Sequence, residues 1–494
     1  MGGGIKKLAG QTAIYGLSSV VVRLLNYLLV PLYTRVFHPG EYGVVTEFYA
    51  YVTFLIIILT YGMETGFFRF SQNKSEFDKT YSTSLTSIFF TSALFIVLIN
   101  IFAQPIASMV EHSQHPEWIR WFSFILAFDA FSAIPFAKLR QQNKAWRFAT
   151  IKIINIGINI GFNLFFLLLC PAVAKSNPDA LILQVYNPAI GVGYIFISNL
   201  LASSITLLLL LPDVFDVKFH FDRALLRKML WYSFPLLIGG LAGMVNETID
   251  RILLKYMLPG DQNHVMSELG IYGANYKLSI MMTLFIQMFR YAAEPFFFSE
   301  AKSKHSKNLF AEVMTYFIIF GLVIFLGITG YIDVVKYFID AEYHEGLSVV
   351  PILLIANLFL GIYFNLSVWY KLNNQTKYGA WMAIVGALIT LVLNIILIPY
   401  ISYMGSAIAT LVCYVSMAFI SYYLGQKHFP IPYNLKKIGL YAVIAAVIYV
   451  LFSWTNQQTA WIKYITNTVL IAGFIIFAIK NEHLITRIRQ KDAV

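Results

Sequence analysis

The chain reads as an all-α polytopic membrane protein: about fourteen transmembrane helices, in two six-helix lobes related by a pseudo-two-fold axis, plus two C-terminal helices. Three observations predict this: composition, the spacing of apolar runs, and an internal duplication. Hydrophobic residues make up 58% of the 494 residues and charged residues 12%, with a mean hydropathy of +0.67. A soluble domain is nearer half apolar and a quarter charged. Apolar runs of about 20 residues, enough to cross a bilayer, fall near 9–33, 43–66, 80–102, 118–137, 148–170, 186–211, 230–257, 269–296, 312–332, 348–370, 378–399, 404–424, 436–454 and 460–479.

The first run is too long for a signal-peptide core of about 7–15 residues and contains Arg23 and Asn26, so it is expected to stay as a span. Cys170 and Cys413 both fall inside apolar runs and are expected to be packed thiols, neither disulfide-bonded nor metal-bound. No P-loop, HExxH, Cys/His cluster or nucleophile elbow occurs, so no catalytic or metal site is expected. The net charge of +11 loses its suggestion of nucleic acid once the charges are mapped onto the loops. With the N-terminus inside, 25 Lys and Arg residues fall in inner loops and tails, against six in outer ones (Arg35, Arg120, Lys175, Lys255, Lys336 and Lys463). That alternation is the positive-inside pattern and places both termini on the cytoplasmic side.

The duplication appears when 40–74 is laid on 270–304 without gaps: ten of 35 positions match, among them Gly40/Gly270, Gly43/Gly273, Tyr61/Tyr291, Glu64/Glu294 and Lys74/Lys304. A second echo pairs "KLRQQNK" (138–144) with "KLNNQTK" (371–377). The chain therefore divides into an N-lobe (1–211), an inner linker (212–228), a C-lobe (229–424) and a final helix pair with its tail (425–494). Six spans per lobe give both lobes the same orientation, as in transporters whose halves are related by an axis along the membrane normal.

Three stretches carry a family resemblance. They are the Arg- and Asn-bearing first helix "GQTAIYGLSSVVVRLLNYLLVPLYTRVFHPGEYGVV", the ending "GMETGFFRF" of the second helix, and the six-plus-six-plus-two layout. The chain resembles the multidrug/oligosaccharidyl-lipid/polysaccharide (MOP) exporter superfamily and, within it, the polysaccharide-transporter branch of Wzx-like O-antigen flippases. The resemblance implies a transporter working by alternating access, with no enzymatic activity and no cofactor. Its cargo would be a polyprenyl-diphosphate-linked oligosaccharide, moved from the cytoplasmic to the periplasmic leaflet on a Na⁺ or H⁺ gradient, with glycosyltransferases or a polymerase as partners. The same fold serves two alternatives, a lipid II flippase and a cation-coupled multidrug exporter. A membrane glycosyltransferase would need a large outer loop, and none is present.

Eight ionisable residues lie well inside the spans: Arg23, Glu47, Asp129, Glu247, Asp250, Arg251, Lys277 and Arg290. Facing lipid, each would cost roughly 2.5–3.5 kcal/mol, so they must pair or face a wet path. With helices 1, 2, 7 and 8 flanking the path, as the resemblance implies, Arg23, Arg251, Lys277 and Arg290 are the candidate diphosphate ligands, since a guanidinium can grip two oxygens at once. Plainer readings stand beside this one. Arg23 could pair with Glu47 or Asp129, Arg251 with Glu247 four residues away, and Arg290 could reach the interface. Asp129, Asn246, Glu247 and Asp250 are candidates for holding a coupling ion. Glu64 and Glu294, read as closing their helices, are expected to brace or gate against the basic loops 138–144 and 371–377. Glu47 and Lys277 occupy equivalent positions of the repeat, so they are expected to meet as an outer gate.

Overall fold

The computed structural model describes residues 16, 18 and 20–482, apart from 73–74, 178, 217–219, 301–305, 374, 376 and 456. The start of the first span and the basic residues Lys6, Lys7, Lys74, Lys218, Lys302, Lys304, Arg487, Arg489 and Lys491 lie outside that set. Among the described residues the regular structure is helical, with no strand. Among the described residues eleven helices are long and apolar enough to cross a membrane. The longest of these, Lys377–His428, holds two runs in one, because Ile401 and Ser402 leave helical geometry after Pro399. Run 269–296 is not among the eleven, since it is broken at Ser279 between helices ending at Leu278 and beginning at Ile280.

The chain forms two compact units. One comprises residues 1–256 and 260–270, the other residues 257–259 and 271–494. The division at 211–229 follows the duplication, whereas packing keeps the helix that follows the linker with the first unit.

In the first unit, α1 (Val30–Val36) runs into α2 (Pro39–Thr60). Pro39 opens α2 where a missing N–H costs nothing, and Glu41 accepts from the backbone N–H of His38 at 3.1 Å. Tyr61 and Gly62 both take left-handed backbone (φ 33° and 69°) and end α2. A new short helix, α3 (Met63–Phe70), then carries Glu64 in its first turn. The expectation that Glu64 closes its helix is thereby corrected: the carboxylate lies at a helix N-terminus, where the dipole favours it. Next come α4 (Phe77–Ile101), α5 (Ala103–Met109), α6 (Pro116–Gln141), α7 (Ala145–Leu164), α8 (Cys170–Ser176), α9 (Gly193–Phe215) and α10 (Arg223–Met257). Helix α6 is the axis of this unit: 72% of its apolar stretch is buried, the largest share of any span, and it packs on α2, α4 and α9. Met63, Phe67, Tyr81, Leu85, Ala130 and Met229 form a core beside it.

The unit also takes in the start of α11 (Gln262–Leu278), which crosses α2 backbone to backbone. A Cβ on Gly43 would stand 2.1 Å from the Met266 carbonyl oxygen, and one on Gly270 1.9 Å from that of Pro39. Only glycine allows this approach, the close-packing device of membrane helix pairs.

The second unit contains the rest of α11, α12 (Ile280–Glu300), α13 (Ser306–Gly330), α14 (Val349–Leu366), α15 (Val368–Leu372), α16 (Lys377–His428), α17 (Leu435–Thr455) and α18 (Ala460–Asn481). Helices α14 and α16 share its most extensive contact, and α17 and α18 pack on α13. Asn467 of α18 donates to the Gly330 carbonyl at 2.7 Å, and Lys463 pairs with Asp333. Cys170 and Cys413 are buried free thiols.

Candidate functional site

The first unit carries polar groups on one set of neighbouring helices. On α7, Asn155, Asn159 and Asn163 recur every four residues and so share a face. Asn155 donates to Thr206 of α9 at 2.9 Å, Asn163 to the Asn159 side chain at 3.0 Å, and Asn159 to Asn26 at 3.4 Å. Asn199 donates to the Tyr49 hydroxyl at 2.9 Å. Ser203 donates to Asp129 at 2.8 Å, and Asp129 is otherwise exposed. Lys152 holds its ammonium 4.1 Å from the centre of the Phe136 ring. Amides and a carboxylate in mid-span are costly unless paired or wetted, and here each has a hydrogen-bond partner. A cavity of about 540 Å³ among α4, α6 and α9 is instead apolar, lined by Phe89, Phe128, Phe131 and Phe215 among others, with none of these charges in its lining.

The four candidate diphosphate ligands differ in surroundings. Arg23 is exposed and makes no hydrogen bond or ion pair among the described residues. Arg251 is engaged, donating to the Glu247 carbonyl at 2.6 Å and to Asp250 at 3.1 Å. The carboxylate next to it is thus one of its partners. In the second unit, Lys277 is half-buried on α11. Arg290 lies 4.0 Å from the Phe364 ring centre and 3.9 Å from Glu294. Among the coupling-ion candidates, Asn246 and Asp250 are buried and Glu247 is exposed.

Glu64 pairs with Arg140, which also covers the Phe68 ring. Glu294 pairs with Lys371 at 2.6 Å. Each glutamate thus meets the basic segment of its own repeat. Nearby, Lys138 is fully buried: it donates to the Asp213 carbonyl at 2.9 Å and lies 4.5 Å from the Tyr81 ring centre. Arg147 reaches the Asp213 carboxylate at 2.8 Å. In the loop before α10, the Lys79 ammonium and the Leu225 N–H bring the Asp222 carboxyl down to about 2. Its stabilising effect is present above the ordinary carboxylate value and lost only as pH falls toward that figure.

Glu47 is not arranged as the sequence suggested. It has no exposure, and its partners lie within its own unit: Lys255 of α10 at 2.6 Å and His112 at 2.8 Å. Lys255 has none either, and it donates to the Val110 carbonyl at 2.5 Å. An outer gate with Lys277 needs a free Glu47, so that expectation is corrected. The sequence places Lys255 only among the outer-edge charges and does not single out His112. No local spacing marks either, because they stand 208 and 65 residues from Glu47.

The family profile described as "Polysaccharide biosynthesis protein" matches residues 8–300, more than half of the chain. The chain belongs to this polysaccharide-biosynthesis family. No curated protein sequence matches it. Solved structures show the fold of this family member. The structure of "Lipid II flippase MurJ, inward closed conformation" aligns with a TM-score of 0.71 at 13% identity, covering 94% of this chain and 99% of that one. A "multidrug resistance MATE family transporter of the MOP superfamily", inward-facing, aligns with 0.66 at 13% identity, covering 83% and 97%. A further MOP transporter from Pyrococcus furiosus, whose title reports "reverse polarity of binding pocket", aligns with 0.53 at 13%, covering 86% and 94%. The polysaccharide-biosynthesis member thus has the fold of MOP transporters.

Proposed function

We propose that this chain is an alternating-access flippase of the cytoplasmic membrane. It moves polyprenyl-diphosphate-linked oligosaccharide units to the outer leaflet for surface polysaccharide assembly. The observation that carries the reading is the family match over residues 8–300 on the fold of transporters. Arg23, exposed within the first apolar run and with no ion pair among the described residues, supplies a guanidinium fork suited to a diphosphate. The amide face of α7 offers hydrogen bonds of the kind sugars accept and donate. Alternation between the two leaflets requires no bond to be made or broken, so the chain acts as a carrier and not as an enzyme. The likeness to a lipid II flippase favours one rival cargo with the same diphosphate.

Deleting the gene tests both cargoes. Under the proposal one surface polysaccharide disappears and its lipid-linked unit accumulates, while cell-wall synthesis continues. Arrested cell-wall synthesis would transfer the chain to the rival cargo. Unchanged surface glycans with new drug sensitivity would overturn the glycan reading. Arg23→Ala reproduces the deletion with normal protein levels, and Arg23→Lys restores only part, since an ammonium cannot chelate two oxygens in a fork.

A further inference from the structure

Charge buried in the first unit and unused by cargo binding converges on Glu47. We propose that His112 is a proton-binding site: a proton taken from the solution on the side that the charge alternation assigns to the exterior holds the clamp between α2 and α10 closed.

The geometry is a four-charge arrangement with one member able to switch. The two oxygens of Glu47 are divided between Lys255 Nζ at 2.6 Å and His112 Nε2 at 2.8 Å. A second carboxylate, Glu111, stands 3.8 Å from the same ammonium. Two carboxylates against one ammonium leave the cluster one negative charge in excess. Protonation of His112 removes that excess and turns its hydrogen bond to the Glu47 carboxylate into an ion pair. Balance matters here because Glu47 and Lys255 have no exposure, and buried charge left uncompensated is strongly unfavourable. His112 keeps 9% exposure while Glu47 and Lys255 have none, so of the three buried members it is the one a proton can reach.

The neighbours leave the switching to His112. Tyr51 of α2 and Tyr256 of α10 are bonded to each other at 2.9 Å. Arg251, one turn before Lys255, is held by Asp250 and the Glu247 carbonyl. His115 bonds Glu117 at 2.8 Å and stacks 4.1 Å from Trp118, so it is engaged away from the clamp. Phe48 and Trp118 cover the His112 ring, each at 5.5 Å between ring centres. Gln262 donates to the Glu111 carbonyl at 2.8 Å and keeps that loop against the unit.

This inference goes beyond the proposed transport and needs no cargo to test, so either can fail alone. The full chain in nanodiscs is treated with a membrane-impermeant amine-acylating reagent at about pH 5 and about pH 8, the range in which imidazole ordinarily changes charge. Labelling of Lys255 is read by peptide mass spectrometry and compared with His112→Gln at the same pH. That comparison cancels the intrinsic pH dependence of the amine. Glutamine keeps a donor but cannot take the proton. At about pH 5 the wild type is expected to label about fivefold less than His112→Gln, the low end for coupled sites; at about pH 8 the two label alike. A ratio that does not change with pH overturns the proposal. Should His112→Gln not fold, Glu111→Gln decides, because it removes the excess charge from an exposed position (54%). It should match the wild type at about pH 5 and label about fivefold less than it at about pH 8. A profile identical to the wild type at both values also overturns the proposal.

Discussion

Glu47 and Glu64 lie less than twenty residues apart in the sequence, yet their ion pairs differ in kind. Glu64 and Arg140 retain 40% and 44% exposure, and a pair so open is worth about 0–1 kcal/mol in water. Glu47 and Lys255 have no exposure, and removing one partner strands the other. Lys255→Met alone should cost about 3–5 kcal/mol, seen as a lower midpoint of thermal unfolding in detergent. The double variant Glu47→Leu/Lys255→Met should recover much of that, with a coupling of about 0.5–3 kcal/mol. Simply additive losses would mean that the two side chains act separately. The sequence pointed to Glu47 as a charge needing a partner, because a glutamate inside an apolar run has to find one. It could not name Lys255 or His112, since the partner of a buried charge is chosen by tertiary packing across 208 and 65 residues.

Among the elements, α2 and α11 carry the most exacting packing. Their crossing at Gly43 and Gly270 leaves no room for a side chain. Gly43→Ala should therefore sharply lower the yield of folded protein in size-exclusion traces. Gly157→Ala serves as the control: Gly157 lies on α7 with nothing within 4 Å of a Cβ, and there alanine should be neutral or stabilise by up to about 1 kcal/mol. Equal damage from both would mean that helix propensity, not the crossing, sets the outcome. The duplication singled out Gly40, Gly43, Gly270 and Gly273 as matched positions. It could not say that Gly43 and Gly270 themselves lie at one crossing. The break at Tyr61–Gly62 was hidden as well: "YG" inside an apolar run reads as continuous helix, and the left-handed backbone there belongs to the packing of Gly62 against Ser233.

For the whole molecule, composition and periodicity carry the fold because the bilayer restricts what can cross it to closed hydrogen bonding. The all-helical plan and most of the span positions were legible for that reason. The span count was less so. Hydropathy alone sees neither the joining of two runs through Ile401–Ser402 nor the interruption of another at Ser279. The charge alternation makes its own demand on the membrane. A reporter fused after Lys307 should read cytoplasmic and one fused after His344 external. Both reading on one side would break the alternation between α13 and α14 and with it the assignment of termini.

The Glu47 clamp has a consequence for biosynthesis. A ribosome adds about 5–20 residues per second. His112, 65 residues beyond Glu47, is therefore made about 3–13 s after it, and Lys255, 208 residues beyond, about 10–42 s after it. The carboxylate enters the bilayer well before its ammonium exists, and the imidazole is the first of its two partners to arrive. The nascent N-terminal helices must hold Glu47 near water or on His112 until α10 has been made.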